Sequence, residues 1–294
     1  MMSYARPLFV GAALLIGVVP ALARTPCTDP GALGVSRQVE VNGPMQLGLK
    51  TYPQTLQLFD HEVVLTFDDG PSRATTPRIL DALEKACVTA NFFLIGRNAA
   101  AAPQLVRREF EDGDTIGHHS YSHPAVTLRG LSEAAARADI EKGIEADDKA
   151  TYGTYSVQPR VPFFRFPGFA DTPGLLGTLA ARNIAVFGAD LWASDWIPMT
   201  PAAELHLLMA RLDRAGRGII LLHDTKQQTA AMMPAFLDAL KTGGYHVVSM
   251  VPGIGPTATR LAPSGWSSET ARIIDRLKLK SSRVSATELR PSRP

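Results

Sequence analysis

Val63-Val64-Leu65-Thr66-Phe67-Asp68-Asp69-Gly70-Pro71 runs an apolar segment straight into two adjacent carboxylates and stops it with a Gly-Pro pair. A short apolar run bounded by turn residues reads as a buried strand, so the acids stand where that strand leaves the core. In α/β folds, catalytic groups collect at such strand ends. Two half-buried carboxylates side by side repel each other, and desolvation penalises each of them. A cation should compensate them, most economically a metal ion. Taken alone, the segment fits a helix cap or Asx turn equally well, because Asp-Gly and Gly-Pro are ordinary turn chemistry. The rest of the chain decides.

Strand-like and helix-like segments alternate on either side of this run. Thr76-Pro77, Thr172-Pro173 and Thr200-Pro201 each place a cap residue before Pro and open helices, the first running to about Ala86. Gln104 to Glu111, Leu131 to Lys149 and Met232 to Lys241 also read as helical. Ala90 to Ile95, Thr115 to Gly117, Phe163 to Phe166, Ile184 to Phe187, Gly218 to Leu222 and His246 to Met250 read as strands. This alternation implies parallel strands with crossover helices, and about seven such units favour one distorted (β/α) barrel over two domains. Residues 24–61 lack a sustained period and read as an extended arm around a domain spanning 62–252. Residues 253–294 form a C-terminal extension, polar and basic after Gly265 and expected to be flexible.

The chain of 294 residues is long enough for a sizeable core, and its net charge of +2 is too small for nucleic acid as the main partner. Arg6, the apolar stretch Leu8 to Val19 and Ala21-Leu22-Ala23 read as a signal peptide over 1–23, cleaved after Ala23. An uncleaved membrane anchor is the alternative. Cleavage makes the protein periplasmic or secreted, without stable membrane insertion. Export permits a Cys27–Cys87 disulfide, although Cys87 reads equally as a small buried hydrophobe.

Gly117-His118-His119-Ser120-Tyr121-Ser122-His123-Pro124 holds three of the chain's 7 histidines. A single helical turn would aim His119 and His123 at one point, and two neutral imidazoles with a carboxylate make an open site for zinc or a similar metal. The direction of His118 is left open. Arg165, inside Phe163-Phe164-Arg165-Phe166-Pro167-Gly168-Phe169, is costly to bury without a carboxylate, and Asp68 is its natural partner. In isolation it is equally a surface arginine beside a Pro turn. The Gly168 N–H is a candidate oxyanion donor. Asp190 to Trp196 puts acids and indoles together after a strand, and Ile219-Ile220-Leu221-Leu222-His223-Asp224 brings His223 to the barrel mouth. A carboxylate bonded to that imidazole would orient it and raise its pKa, as suits a general acid. The bland alternatives are a satisfied core histidine and, for the tryptophans, simple core packing.

Together these segments resemble the polysaccharide deacetylase family, the NodB homology domain of carbohydrate esterase family four. Its ordered motifs match Thr66–Gly70, His119–His123, Arg165–Gly168, Asp190–Trp196 and Leu221–His223, and the resemblance covers about Glu62 to Pro252. It implies a distorted (β/α) barrel with an open groove and a metal-dependent hydrolase of linear amide C–N bonds. The implied substrate is an N-acetylglucosamine-containing polysaccharide or oligosaccharide, which would lose its N-acetyl groups. Asp69, His119 and His123 would hold a divalent metal, typically zinc, with cobalt or nickel as alternatives. Asp68, oriented by Arg165, would take a proton from the attacking water. Gly168 and the metal would stabilise the oxyanion, and His223, positioned by Asp195, would protonate the departing amine. Leu221 and Trp196 would line the acetyl pocket, and Tyr121 would stack on a sugar ring. The chain departs from the family pattern at His118, where Asn is common, and at Gly168, where Tyr is frequent. An O-acetyl esterase on acetylated polysaccharide and a non-catalytic carbohydrate-binding relative are the competing readings.

Overall fold

The computed structural model describes residues 29–275, so the signal segment, Cys27 and the end of the basic tail lie outside the described residues. In chain order the elements are β1 (Val35–Val41), β2 (Gln46–Leu47), β3 (Gln54–Leu56), β4 (Glu62–Asp68), α1 (Thr76–Lys85), β5 (Asn91–Leu94), α2 (Gly96–Ala101), α3 (Pro103–Glu111), β6 (Thr115–His118), α4 (Glu133–Tyr152), β7 (Phe163–Phe164), α5 (Pro173–Ala180), β8 (Ala185–Phe187), β9 (Leu191–Trp192), α6 (Pro201–Ala215), β10 (Gly218–His223), α7 (Gln227–Thr242), β11 (His246–Pro252) and β12 (Thr259–Leu261). The apolar run of the sequence is β4, buried along its whole length. It lies between β5 and β10, and β6, β7 and β8 follow in order beyond β5, all in parallel pairs. No ladder joins β8 to β10 among the described residues. The chain spans that gap itself, passing from β8 through residues 188–190 into β9, which pairs with β10. The result is the distorted (β/α) barrel that the alternation implies.

Side-chain parity sorts each strand between two cores, because successive residues of a strand point to opposite faces. Val64, Phe93, Phe163, Ala185, Phe187 and Ile219 cluster inside the barrel. Val63, Leu65, Phe67, Phe92, Ile220 and Leu222 pack outward with the helical residues Ile79, Leu83, Leu208 and Phe236. Continuing the inner row along β4, β7 and β10 brings Asp68, Arg165 and His223 to the mouth.

The arm does more than wrap the domain. β1 pairs in parallel with β11 and β2 with β8, so residues 35–47 complete the sheet. The half-buried Asp190 carboxylate ties the arm to the barrel, accepting from Leu49 N at 2.8 Å, Thr55 Oγ1 at 2.8 Å and Ile219 N at 2.9 Å. The extension read as flexible also differs, as far as residue 275. β12 pairs antiparallel with β3, Trp266 Nε1 donates to Leu49 O at 2.7 Å, and Lys50 pairs with Glu269. A strand of three residues gives no readable period, so this packing leaves no pattern in the sequence. Thr76 is also displaced from its expected role. It opens α1 as a helical residue, and its hydroxyl accepts from Ser72 N and donates to Asp224 instead of capping.

Candidate active site

Asp68 ends the inner row of β4, and its carboxylate is buried. Arg165, fully buried, donates from Nη1 to Asp68 Oδ1 at 2.7 Å and to Thr66 Oγ1 at 2.9 Å, and from Nη2 to Gly188 O at 2.9 Å. Its guanidinium lies over the Phe93 ring, 4.3 Å from the centroid. A buried arginine is tolerable only with its donors used, and these contacts use them. Burial raises the Asp68 pKa and outweighs the opposing pull of Arg165 and His223, so the carboxylate holds a proton more readily than an exposed one.

Asp69 follows with φ 78, a left-handed conformation that turns its side chain away from that of Asp68. Asn98 of α2 donates to the Asp69 carbonyl at 2.7 Å and secures the turn. Gly70 is required by close approach, since a methyl there would collide with the Asp224 carboxylate. Asp69 Oδ1 is buried, has no hydrogen-bond partner, and lies 3.6 Å from His119 Nε2 and 3.5 Å from His123 Nε2. One ligand atom from each of the three residues lies within 4.8 Å of the others. His119 Nδ1 faces the Arg165 carbonyl at 2.7 Å, which places the proton on Nδ1 and leaves the Nε2 lone pair for a metal. Burial, above all, presses the His119 pKa down to about 3, so the ring is neutral as a ligand must be. The orphaned oxygen and the two imidazoles fit a divalent cation.

The histidines do not converge through a helical turn. Ser120 and His123 adopt φ values of 66 and 43, and the segment is an irregular loop held on α4. The Asp139 side chain accepts from Tyr121 N at 3.0 Å and from Ser122 N at 3.1 Å. His118, on the outer face of β6, points away from Asp69, with Nδ1 at 2.9 Å from Asp147 Oδ2. Tyr121 is not brought to the groove. Its ring lies 3.9 Å below the Lys142 ammonium and packs against Gly96. The backbone reversal at Ser120 turns it toward α4, which corrects its expected place against a sugar.

His223 ends β10, with Nδ1 at 2.8 Å from Asp195 Oδ1 and its backbone N–H donating to Asp195 Oδ2 at 2.7 Å. Burial opposes the imidazolium, but the charge and hydrogen bond of Asp195, with Asp69 and Asp68 beyond, hold His223 up at about 9. Asp195 is correspondingly lowered, its burial outweighed by His223. Trp196 stands edge-on to His223, ring centroids 6.0 Å apart, and is 47% exposed at the rim.

These groups share one groove of about 900 Å³, lined by Asp68, Asp69, His119, His123 and His223 together with Gly168, Leu221 and Trp196. Gly168 has φ 60, a conformation glycine adopts without cost. Sequence reasoning overlooked Trp192 and Phe169 as lining residues, although both fall inside the quoted motifs. It also overlooked Val126, Thr270 and Ile273, which carry no local signal of a site.

Residues 57–178 match the family model described as polysaccharide deacetylase. A peptidoglycan-N-acetylglucosamine deacetylase of Bacillus cereus is 31% identical over 204 residues, covering 67% of this chain and 72% of that one. One of Listeria monocytogenes is 30% identical over 193 residues, 64% of this chain, which spans only 38% of that longer protein. Among solved structures, the peptidoglycan deacetylase of Bdellovibrio bacteriovorus superposes with a TM-score of 0.62 at 30% identity, covering 74% of this chain and 61% of that one. Motif order, barrel and groove agree with these matches, and the chain belongs to the polysaccharide deacetylase family.

Proposed function

We propose that the chain is a metal-dependent hydrolase that removes N-acetyl groups from an N-acetylglucosamine-containing polysaccharide or oligosaccharide. One observation carries the reading. A buried carboxylate, a three-residue ligand set with an orphaned oxygen, and a charged imidazole face one groove. The B. cereus and L. monocytogenes relatives, named for peptidoglycan N-acetylglucosamine, support the substrate class.

Asp69, His119 and His123 would hold a divalent ion, zinc by the mixed imidazole and carboxylate donor set, supplying Lewis-acid polarisation of the acetamide carbonyl and of water. Asp68 takes the proton of the attacking water, and Arg165 holds Oδ1 so that Oδ2 is the basic oxygen. The Gly168 N–H serves the developing oxyanion. His223 gives its proton to the departing amine nitrogen as the C–N bond breaks, leaving acetate and a free amine. Leu221 and Trp196 bound the acetyl pocket. An amine leaves poorly without a proton, so an imidazole held charged favours amide over ester cleavage. With its signal segment removed, the protein acts in the periplasm or outside the cell. No helix among the described residues is long and apolar enough to cross a membrane.

The test is acetate release from chitooligosaccharides by the purified protein. Release should stop with a chelator and return with zinc or cobalt. Asp69→Ala should be inactive, and acetate release unaffected by that change would sink the mechanism.

A further inference from the structure

The geometry points to Glu204 and Thr229 as a relay that holds Asp195 as a pure acceptor and so keeps the His223 imidazolium aimed at the leaving group. The inference rests on the reading of His223 as the acid that protonates the amine. Neither relay residue reaches the groove. Glu204 lies in the first turns of α6 and Thr229 in the first turns of α7, both fully buried.

Thr229 Oγ1 lies 3.0 Å from Asp195 Oδ2 and 2.8 Å from Glu204 Oε1. A hydroxyl carries one proton, and an ionised carboxylate can only accept. With both acids ionised, one contact would set lone pair against lone pair inside the core. One acid therefore brings a proton of its own.

The surroundings decide which acid that is. Asp195 already accepts from the backbone and the ring of His223, and it pairs with that imidazolium. Glu204 makes no ion pair among the described residues, and its Oε2 is buried without a hydrogen-bond partner. Burial first, and the Asp195 charge after it, push the Glu204 pKa up to about 7, while that of Asp195 is lowered. The proton sits on Glu204. Its O–H donates to Thr229 Oγ1, and the Thr229 O–H donates to Asp195 Oδ2.

Asp195 then has a third donor in the row and faces His223 only as an acceptor. No proton travels along the relay during the reaction; it settles which group holds which proton. The other charged groups nearby leave this assignment in place. Asp68 and Asp69 act on His223 from the groove side, the buried Asp224 lies beyond, and Arg211 of α6 donates to Ser194 Oγ at 2.8 Å and Trp192 O at 2.6 Å. Glu204 and Thr229 are positioning residues.

The test measures kcat and KM on a chitooligosaccharide and on 4-nitrophenyl acetate, whose leaving group needs no proton. Thr229→Val and Glu204→Leu should lower amide kcat about tenfold or more with KM and ester turnover within about twofold. Glu204→Gln, whose amide N–H also donates to Thr229, should stay within about threefold of the parent, as should Thr229→Ser. Amide kcat of Thr229→Val within twofold of the parent, or Glu204→Gln as impaired as Glu204→Leu, overturns the relay. His223→Ala separates the two readings. It should lose amide cleavage and keep ester cleavage, and equal losses there overturn the acid role itself. Should Glu204→Leu fail to fold, the Thr229→Val and Thr229→Ser pair decides the matter alone.

Discussion

At the scale of single residues, strand parity separates neighbours that the sequence presents as equals. Asp68 ends the inner row of β4, and its buried Oδ1 meets Arg165, while Asp69 turns off the strand toward the histidines. The same rule divides His118 from His119, and it was available from the sequence once Thr115 to Gly117 had been read as a strand. The chemistry of the motifs was legible in the residues, whereas the direction of His118 was left open there and the loop turns Tyr121 away from the groove. His118 faces Asp147, where burial presses the imidazole down to about 3 and lifts the Asp147 carboxyl well above its usual range, so the pair is neutral. His118→Asn should consequently leave zinc affinity within about threefold by calorimetry while costing about 1–2 kcal/mol of stability as a buried hydrogen bond is rebuilt. A loss of zinc binding comparable to that of His119→Ala would show that His118 is a ligand after all. Arg165 tests the other side of the site. Arg165→Met leaves Asp68 buried without its partner and should cost about 3–5 kcal/mol in denaturant unfolding.

At the scale of elements, the longer strands and the helices opened by a Thr-Pro pair were legible, whereas α2, the first turn of α7 and the histidine loop carry no such signal. The spacing of His119 and His123 suggested a helical turn, but positive φ at Ser120 and His123 makes an irregular bend whose shape comes from α4. Gly143 of α4 has no side chain because the loop needs the space; a Cβ there would lie 2.5 Å from the Ser120 carbonyl carbon. Gly143→Ala should push the loop off its helix, weakening zinc binding about tenfold by calorimetry and lowering stability by about 1–3 kcal/mol. Unchanged zinc affinity would mean that the loop does not take its shape from α4. The α6–α7 contact through Glu204 and Thr229 has a pH signature of its own. The Glu204 pKa rises from 4.5 to about 7 on folding, so between those values the native state binds more protons than the unfolded chain. Stability must then fall as pH rises through that window. Other buried acids add to the same slope, so the difference between variants is the informative quantity. Glu204→Gln should flatten the decline in melting temperature between pH 4.5 and 7, and parallel curves for parent and variant would place the Glu204 pKa near its ordinary value.

At the scale of the whole molecule, the segments with the least sequence signal shape the groove beyond its chemistry. β2, β3 and β12 are too short to show a period, and β1, although its seven residues alternate in burial at Val39 and Val41, pairs with a distant strand that leaves no local trace. Yet Lys50, in the arm, lies 4.7 Å from the Trp192 ring centroid and pairs with Glu269, while the Lys50 carbonyl accepts from the backbone of Glu269 at 2.9 Å and of Thr270 at 3.1 Å. Trp266 adds its indole N–H to Leu49 O. These anchors set Thr270, Ile273 and Ile274 against the groove, where they line it together with Trp192 and Val126. In a groove that takes the polymer proposed above, this wall would contact sugar residues beyond the reacting one. Binding energy made equally in ground and transition states lowers KM and leaves kcat alone. Ile273→Ser and Trp266→Ala should therefore raise KM for a long chitooligosaccharide roughly fivefold, leave kcat within about twofold, and leave the KM of a disaccharide nearly unchanged. Equal increases in KM for the long and the short substrate would show that the wall acts on the reacting sugar itself, and a fall in kcat would show that it supports the catalytic groups through Lys50 and Trp192.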